Sequence, residues 1–171
     1  MIVSNSTPLI CLTKLNRLHL LKEFFVEVCI PEEVYREVVT RGKEEKYPDA
    51  LLVEEAVKEG WVIVKKATEM KRLEEYGIDK GEVEAISLAL NLKYSGILVD
   101  QSHARFVAEV MGLVPKGTIF VLLKALKNGV FSFDDYLKDM ETLVKTGFRM
   151  SDDVYIEAVR LGKKLAEKKA P

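Results

Sequence analysis

The chain is poor in cysteine and histidine, with two of each, and Gln101 is the only glutamine. Cys11 and Cys29 lie in apolar stretches and lack metal-ligand spacing, so neither a zinc cluster nor a disulfide framework is expected. They read as two buried, reduced thiols of a cytoplasmic protein. No apolar run approaches the ~20 residues of a membrane span. The first twelve residues are interrupted by the polar run 4–8 and lack a basic start, so no signal peptide is expected. Charge of one sign is also missing. The net charge is −1, so nucleic-acid binding has to come from a local basic patch rather than from the field of the whole molecule. There is no GxGxxG, Walker loop, HExxH or GxSxG, which leaves nucleotide cofactors, zinc and a serine triad without support. Repeats, low-complexity tracts and long linkers are absent as well.

What is present is a chain of 171 residues, 48% apolar, long enough to bury a real core. Charged residues reach 31%, mostly Lys and Glu, a balance that fits a thermophile surface laced with ion pairs. Short apolar, β-rich segments at 1–4, 26–30, 61–65, 96–99 and 113–114 alternate with helical patterns at 9–21, 32–40, 47–58, 79–92, 101–111 and 118–127. Thr7 suits a helix N-cap and Pro8 the position after it. A break is expected near residues 15–16, and residues 42–47 read as a loop. This alternation predicts parallel βαβ units in a three-layer α/β/α domain with a mainly parallel twisted sheet, over residues 1–128. The remainder, 129–171, predicts a C-terminal pair of helices, 132–146 and 151–169, capped by Ser132 and Ser151. Their apolar stripes (Phe133, Tyr136, Leu137, Met140, Leu143; Val154, Ile156, Val159, Leu161) either pack on the chain's own core or pair two copies in a homodimer.

Four positions stand out. Asn5 and Asp100 end two strands, and Glu37 and Glu82 lie in the first turns of two helices. In an open α/β sheet the carboxyl ends of the strands are where ligands bind, and oxygen donors gathered there suit Mg²⁺ or Mn²⁺. Each position also has a structural reading. Asp100 would N-cap the next helix. Glu82 would close a capping box with Asp79, although Gly81 between them asks for a close approach. Glu37, in a row with Glu33 and Arg41, would belong to a solvated ion-pair face. Asn5 would be a turn residue. His103 reads as an exposed first-turn residue, and Arg105 as a phosphate contact or the partner of a site carboxylate.

Four segments in order, residues 2–10 (IVSNSTPLI), 31–38 (PEEVYREV), 81–89 (GEVEAISLA) and 98–105 (LVDQSHAR), resemble the PIN-domain family. These are metal-dependent ribonucleases that include the toxins of VapBC-type toxin–antitoxin pairs; more narrowly, the chain resembles a prokaryotic PIN-like branch. The resemblance implies a hydrolase, a Mg²⁺- or Mn²⁺-dependent endoribonuclease acting on single-stranded RNA. Its catalytic residues would be Glu37, Glu82 and Asp100, its metal-binding residues Asn5, Glu37, Glu82 and Asp100, and its substrate-binding residues Arg105 and Lys80. It further implies an antitoxin protein as partner. Asn5 stands where the family has an acid, and Gln101 where this branch often has a second one. Both departures remove negative charge, and they open a second reading: a catalytically weakened module that binds RNA or protein. A phosphatase-like α/β hydrolase lacks support, because no second Asp follows Asp100 two residues later.

Overall fold

The computed structural model describes residues 1–68 and 70–168, which fall into two compact units, Met1–Gly117 and Thr118–Pro171. The first holds a five-stranded sheet: β1 (Ile2–Ser4), β2 (Val28–Pro31), β3 (Val62–Lys65), β4 (Gly96–Leu98) and β5 (Val114–Lys116). Every neighbouring pair runs parallel, in the order β3-β2-β1-β4-β5. The chain therefore builds outward from β1 in one direction, then returns to its other side. This reversal makes the gap between β1 and β4 the topological switch point, where the carboxyl ends of the strands leave a crevice. Asn5 and Asp100 follow these two strands.

Helices cover the sheet because the strands are apolar on both faces. β1, β2 and most of β4 are buried, as parallel strands between two helical layers must be. The helices are α1 (Ser6–Lys14), α2 (His19–Phe24), α3 (Glu32–Tyr35), α4 (Gly42–Glu44), α5 (Pro48–Lys58), α6 (Lys80–Asn91) and α7 (Ser102–Val110). α6 is buried on nearly every side and packs against β1, β2 and β4. Among the described residues no helix is long and apolar enough to cross a membrane.

Several local expectations change. β2 begins at Val28, and Val26 before it is 91% exposed. The first helix starts at Ser6, so Asn5, not Thr7, takes the N-cap position. Residues 42–47 are not all loop. A π-helical segment, Arg36–Arg41, joins α3 to α4, and only residues 45–47 connect to α5. Periodicity could not show this, because a π-turn keeps the apolar positions Val38 and Val39 buried while it winds the chain more widely. A 3₁₀ turn, Lys71–Tyr76, also had no sequence signature.

The second unit holds α8 (Thr118–Asn128), α9 (Phe133–Lys145) and α10 (Asp152–Glu167). The sequence boundary at residue 128 put α8 with the first domain. The compact units divide after Gly117 instead, because α8 packs on α9 and α10. Ser132 closes a capping box with Asp135, and Ser151 Oγ accepts the Val154 amide at 3.3 Å. Of the α9 stripe, Tyr136, Met140 and Leu143 are fully buried, and Tyr136 Oη donates to the Ala158 carbonyl at 2.9 Å. That stripe is core. The α10 positions Val154, Ile156 and Leu161 are exposed instead. The α10 reading extended to residue 169, which lies outside the described residues.

Candidate active site

The site is built from four chain segments. Asn5 leaves β1 in extended conformation, and its amide donates to Leu98 O at 3.0 Å, which ties it to the neighbouring strand β4. Asn in this position ordinarily caps the helix that follows. Here it makes no side-chain cap bond; it is 3% exposed, and its Oδ1 is buried with no hydrogen-bond partner. The turn-residue reading gives Asn5 no job.

Ser6 follows, and its hydroxyl donates to Glu37 Oε2 in a short hydrogen bond. Glu37 comes from the π-helical segment, a winding often found at functional positions. Its carboxylate lies against Gly81: a β-carbon there would meet Glu37 Oε2 at 3.0 Å and Oε1 at 3.3 Å. The glycine in the first turn of α6 is thus explained by the close approach the sequence suggested. The solvated row does not form. Glu33 is buried and pairs with Arg36, while Glu37 is half-buried and turned towards Ser6 and Gly81.

Glu82 takes the capping role. Asp79 Oδ1 accepts the Glu82 amide at 2.8 Å, and Glu82 Oε2 accepts the Asp79 amide at 3.1 Å, completing the capping box. This uses one carboxylate oxygen. The other, Oε1, is buried and has no partner.

Asp100 lies just beyond β4. The N-cap position of α7 falls on Gln101, not on Asp100. Its carboxylate rests on Gly117, where a β-carbon would stand 2.6 Å from Oδ1 and 3.3 Å from Arg105 Nη1. Gly117 escaped the sequence reading; the available signal was a glycine directly between a strand and a helix. Arg105 donates from Nη1 to Val99 O at 3.1 Å and from Nη2 to Pro115 O at 3.4 Å. Its guanidinium thus ties the residue after β4 to the middle of β5, beside Asp100.

Lys80 is engaged in a similar way. Its Nζ lies 3.4 Å from Glu33 Oε2 and 3.7 Å from Glu84 Oε1, and Glu84 Oε2 accepts the Glu33 amide at 3.1 Å. Glu84 had no special claim from sequence, yet it joins Glu33 and Lys80 to lock α3 onto α6, the two elements that lead to Glu37 and Glu82. His103 Nε2 lies 2.6 Å from the Tyr76 carbonyl oxygen. It pins the 3₁₀ turn to α7.

Burial is the main influence on both glutamates of the crevice. It raises Glu37 above the ordinary carboxylate range, against the Ser6 hydrogen bond, and the charge of Asp79 adds to the rise. Burial likewise raises Glu82, against the Asp79 amide, with further repulsion from Asp79 and Glu37 and relief from His103. Glu37 and Glu82 therefore feel one another's charge. Glu33 moves the opposite way, lowered first by its hydrogen bond from Arg36.

The arrangement brings Ser6, Glu37 and Gly81 into contact, sets Glu82 within electrostatic reach, and places Asn5 and Asp100 at adjoining strand ends. Every candidate donor is a hard oxygen, which suits Mg²⁺ or Mn²⁺ and not a soft metal. Among the described residues no group of three His, Cys, Asp or Glu side chains has metal-binding geometry. The two orphaned oxygens are the informative feature. A buried, unpaired polar atom costs ~1–3 kcal/mol, against a total stability of ~5–15 kcal/mol for a domain. Each calls for a partner that the protein side chains around it do not supply: water, a cation or a substrate group.

A family model described as a PIN domain matches residues 1–164. No curated protein and no solved structure matches the chain.

Proposed function

From the premise that this chain belongs to the PIN-domain family, a nuclease-type fold, we propose that it hydrolyses RNA phosphodiester bonds with a divalent cation, Mg²⁺ or Mn²⁺. The observation that carries the reading is the pair of buried, unpartnered oxygens, Asn5 Oδ1 after the strand at the switch point of the sheet and Glu82 Oε1 in the first turn of α6. Asn5, Glu37, Glu82 and Asp100 would hold the cation. When bound, it would supply Lewis-acid activation of water and stabilisation of charge on the scissile phosphate.

The chain's own residues contribute the rest. Ser6 holds Glu37 by one oxygen, and Gly81 leaves room for its carboxylate. Glu82 keeps one oxygen on the α6 cap and the other for the crevice. Burial raises both Glu37 and Glu82, the direction that makes a carboxylate a better proton acceptor, so either would take a proton from an attacking water. Arg105 ties the residue after β4 to β5 beside Asp100 and adds positive charge nearby. Lys80, paired with Glu33 and Glu84, acts on the spacing of α3 and α6 more than on phosphate. RNA reaches such a crevice single-stranded, and its binding weakens with salt. In a toxin–antitoxin pair, an antitoxin protein would cover this face.

The second reading is a metal-poor PIN-like module that binds RNA or protein without cleaving. It is favoured by the neutral amide at Asn5 and by the lack of a three-carboxylate group among the described residues. Titration with Mn²⁺, followed by incubation with mixed single-stranded RNA, separates the two. The enzyme reading expects saturable Mn²⁺ binding and cleavage that stops with chelator and falls at least ~10²-fold in Glu82→Gln, the scale of a positioned acid or base. RNA retention without Mn²⁺ binding or cleavage establishes the module instead.

A further inference from the structure

We propose that the exposed aromatic side chains Tyr76, His103 and Phe106 form a track on which the bases of a single-stranded RNA stack as it leaves the crevice. The proposal rests on the reading of RNA as substrate and adds the surface that would hold it. α7 begins two residues after Asp100 and buries one side, Ala104, Val107 and Ala108. Its other side carries His103 in the first turn and Phe106 one turn on, both exposed. A phenylalanine 57% exposed is ordinary on its own. This one has aligned neighbours. His103 Nε2 lies 2.6 Å from the Tyr76 carbonyl oxygen. A carbonyl only accepts, so Nε2 carries the proton and the ring is held by one edge. Tyr76 ends the 3₁₀ turn, which Leu73 anchors in the core, and is itself 37% exposed. Three residues on, Asp79 caps α6 with Glu82, and the charge of His103 reaches Glu82. The track therefore starts at the mouth of the candidate site and runs outward along α7.

Spacing and charge identify the occupant. His103 and Phe106 stand ~4.5 Å apart along the helix axis, three residues at ~1.5 Å each. Successive nucleotides of a strand are ~3.4 Å apart, so neighbouring bases can reach neighbouring rings. Stacking on aromatic rings accepts any base. Ala104 and Arg105 lie between the two rings in sequence, so the nearest charge on the helix is positive, which suits phosphate. Glu109 falls on the flank of Phe106 away from His103. On the 3₁₀ turn, Lys71 and Glu74 are three residues apart, as are Arg72 and Glu75; each pair shares a face, and the charges of the turn balance. A protein partner would need more apolar surface than Phe106 and Val110 offer, since a stable interface takes ~800 Å² from each side.

Fluorescence anisotropy of a labelled single-stranded RNA of ~8 nucleotides tests the track on the full chain, in chelator so that nothing is cleaved. The natural chain should bind, and the same sequence as a duplex, with its bases stacked inside, should not compete. Phe106→Ala should weaken binding at least ~5-fold, the low end for loss of one stacked base. Phe106→Leu, which keeps apolar bulk without a ring, should weaken it similarly, and Phe106→Trp should restore it. All three should melt as the natural chain does, because the side chain is exposed. A natural chain that binds no single-stranded RNA overturns the proposal. So does binding indifferent to Phe106→Ala, or a Phe106→Leu variant that binds as tightly as the natural chain, which would mark the face as an apolar protein contact. Cleavage in Mn²⁺ is measured separately. Binding that depends on Phe106 without any cleavage keeps the track and retires the nuclease; cleavage with binding indifferent to Phe106 keeps the nuclease and retires the track.

Discussion

The two ends of the sheet treat polar groups in opposite ways. At the amino end, Met1, Glu27 and Tyr94 stand just before β1, β2 and β4. There the polar atoms have found one another: the Cys29 thiol donates to Glu27 Oε1 at 2.9 Å, Lys65 Nζ lies 3.1 Å from the same oxygen, and Tyr94 Oη donates to Met1 Sδ at 3.1 Å. At the carboxyl end, Asn5 Oδ1 and Glu82 Oε1 are buried with no partner, and two glycines leave room for carboxylates. Glu27 is held below the ordinary carboxylate range by its hydrogen bonds from Cys29 and Lys65; Glu37 and Glu82 are pushed above it by burial. One end spends its polar groups on the fold. The other withholds them from it, as expected where local stability is given up for function.

The largest effect should come from closing the room left at the carboxyl end. In Gly117→Ala the new methyl falls 2.6 Å from Asp100 Oδ1, and the atoms behind it are a guanidinium and a backbone carbonyl. Asp100 has to move. Overpacking of this kind costs ~1–3 kcal/mol, and displacement of a ligand should abolish most of the Mn²⁺-induced rise in melting temperature. A normal Mn²⁺ shift in this variant would show that Asp100 is not a ligand.

Asn5→Asp comes next. A carboxylate in this buried position should lower the melting temperature of the metal-free protein, by ~2–4 °C for each kcal/mol of repulsion and desolvation. It should enlarge the upward shift with Mn²⁺, because a charged oxygen binds a hard cation more tightly in a partly buried site. Differential scanning fluorimetry reads both. If neither quantity moves, Asn5 belongs to the fold as much as Glu27 does, and the contrast between the ends is lost.

Much of this contrast was legible in the sequence, and the reasons are physical. Apolar runs that end at Asn5 and Asp100 mark buried parallel strands, and strand ends face a crevice wherever the topology reverses. The Asp79–Glu82 box and Gly81 were visible because capping and close approach are local. What remained hidden depends on winding or on distant partners. The π-turn that presents Glu37 shares its apolar positions with an ordinary helix. Gly117 matters only because Asp100 lies on it, and the pairing of Lys80 with Glu33 needs α3 and α6 side by side. The Glu33–Glu37–Arg41 row misled because i,i+4 spacing assumes a regular α-helix.

The third effect is a difference of sign with pH. Glu37 and Glu82 have folded-state pKa values above the ordinary 4.5. The native state therefore holds more protons than the unfolded chain between that value and the raised ones. Their contribution to stability is complete below 4.5 and is lost as pH rises through the folded values. Glu27 is lowered from 4.5, so its contribution is present above 4.5 and lost as pH falls through the folded value. In metal-free protein, Glu82→Gln should flatten the decline on the alkaline side and Glu27→Gln the decline on the acid side. Melting temperature measured across pH checks both slopes; matching slopes for the two variants would contradict the assignment.

The smallest effect tests whether the paired end is purely structural. Cys29 is fully buried in β2, and its thiol is pushed up to about 11, first by burial and then by the Glu27 hydrogen bond. At neutral pH it is a thiol, not a thiolate, and should resist alkylation in the folded protein. Cys29→Ala removes one sulfur from a packed strand and should cost ~1 kcal/mol, near the centre of the range for point substitutions. Glu27 keeps Lys65 as a partner, so no charge is stranded. β2 leads through Pro31 into α3 and on to Glu37, which gives a disturbance at Cys29 a direct covalent route to the crevice. The expectation is that it does not travel: the Mn²⁺ shift and any RNA cleavage should match the natural protein once the lower melting temperature is allowed for. A changed Mn²⁺ shift in Cys29→Ala would mean that β2 transmits strain along its length, and the two ends would have to be treated as one coupled site.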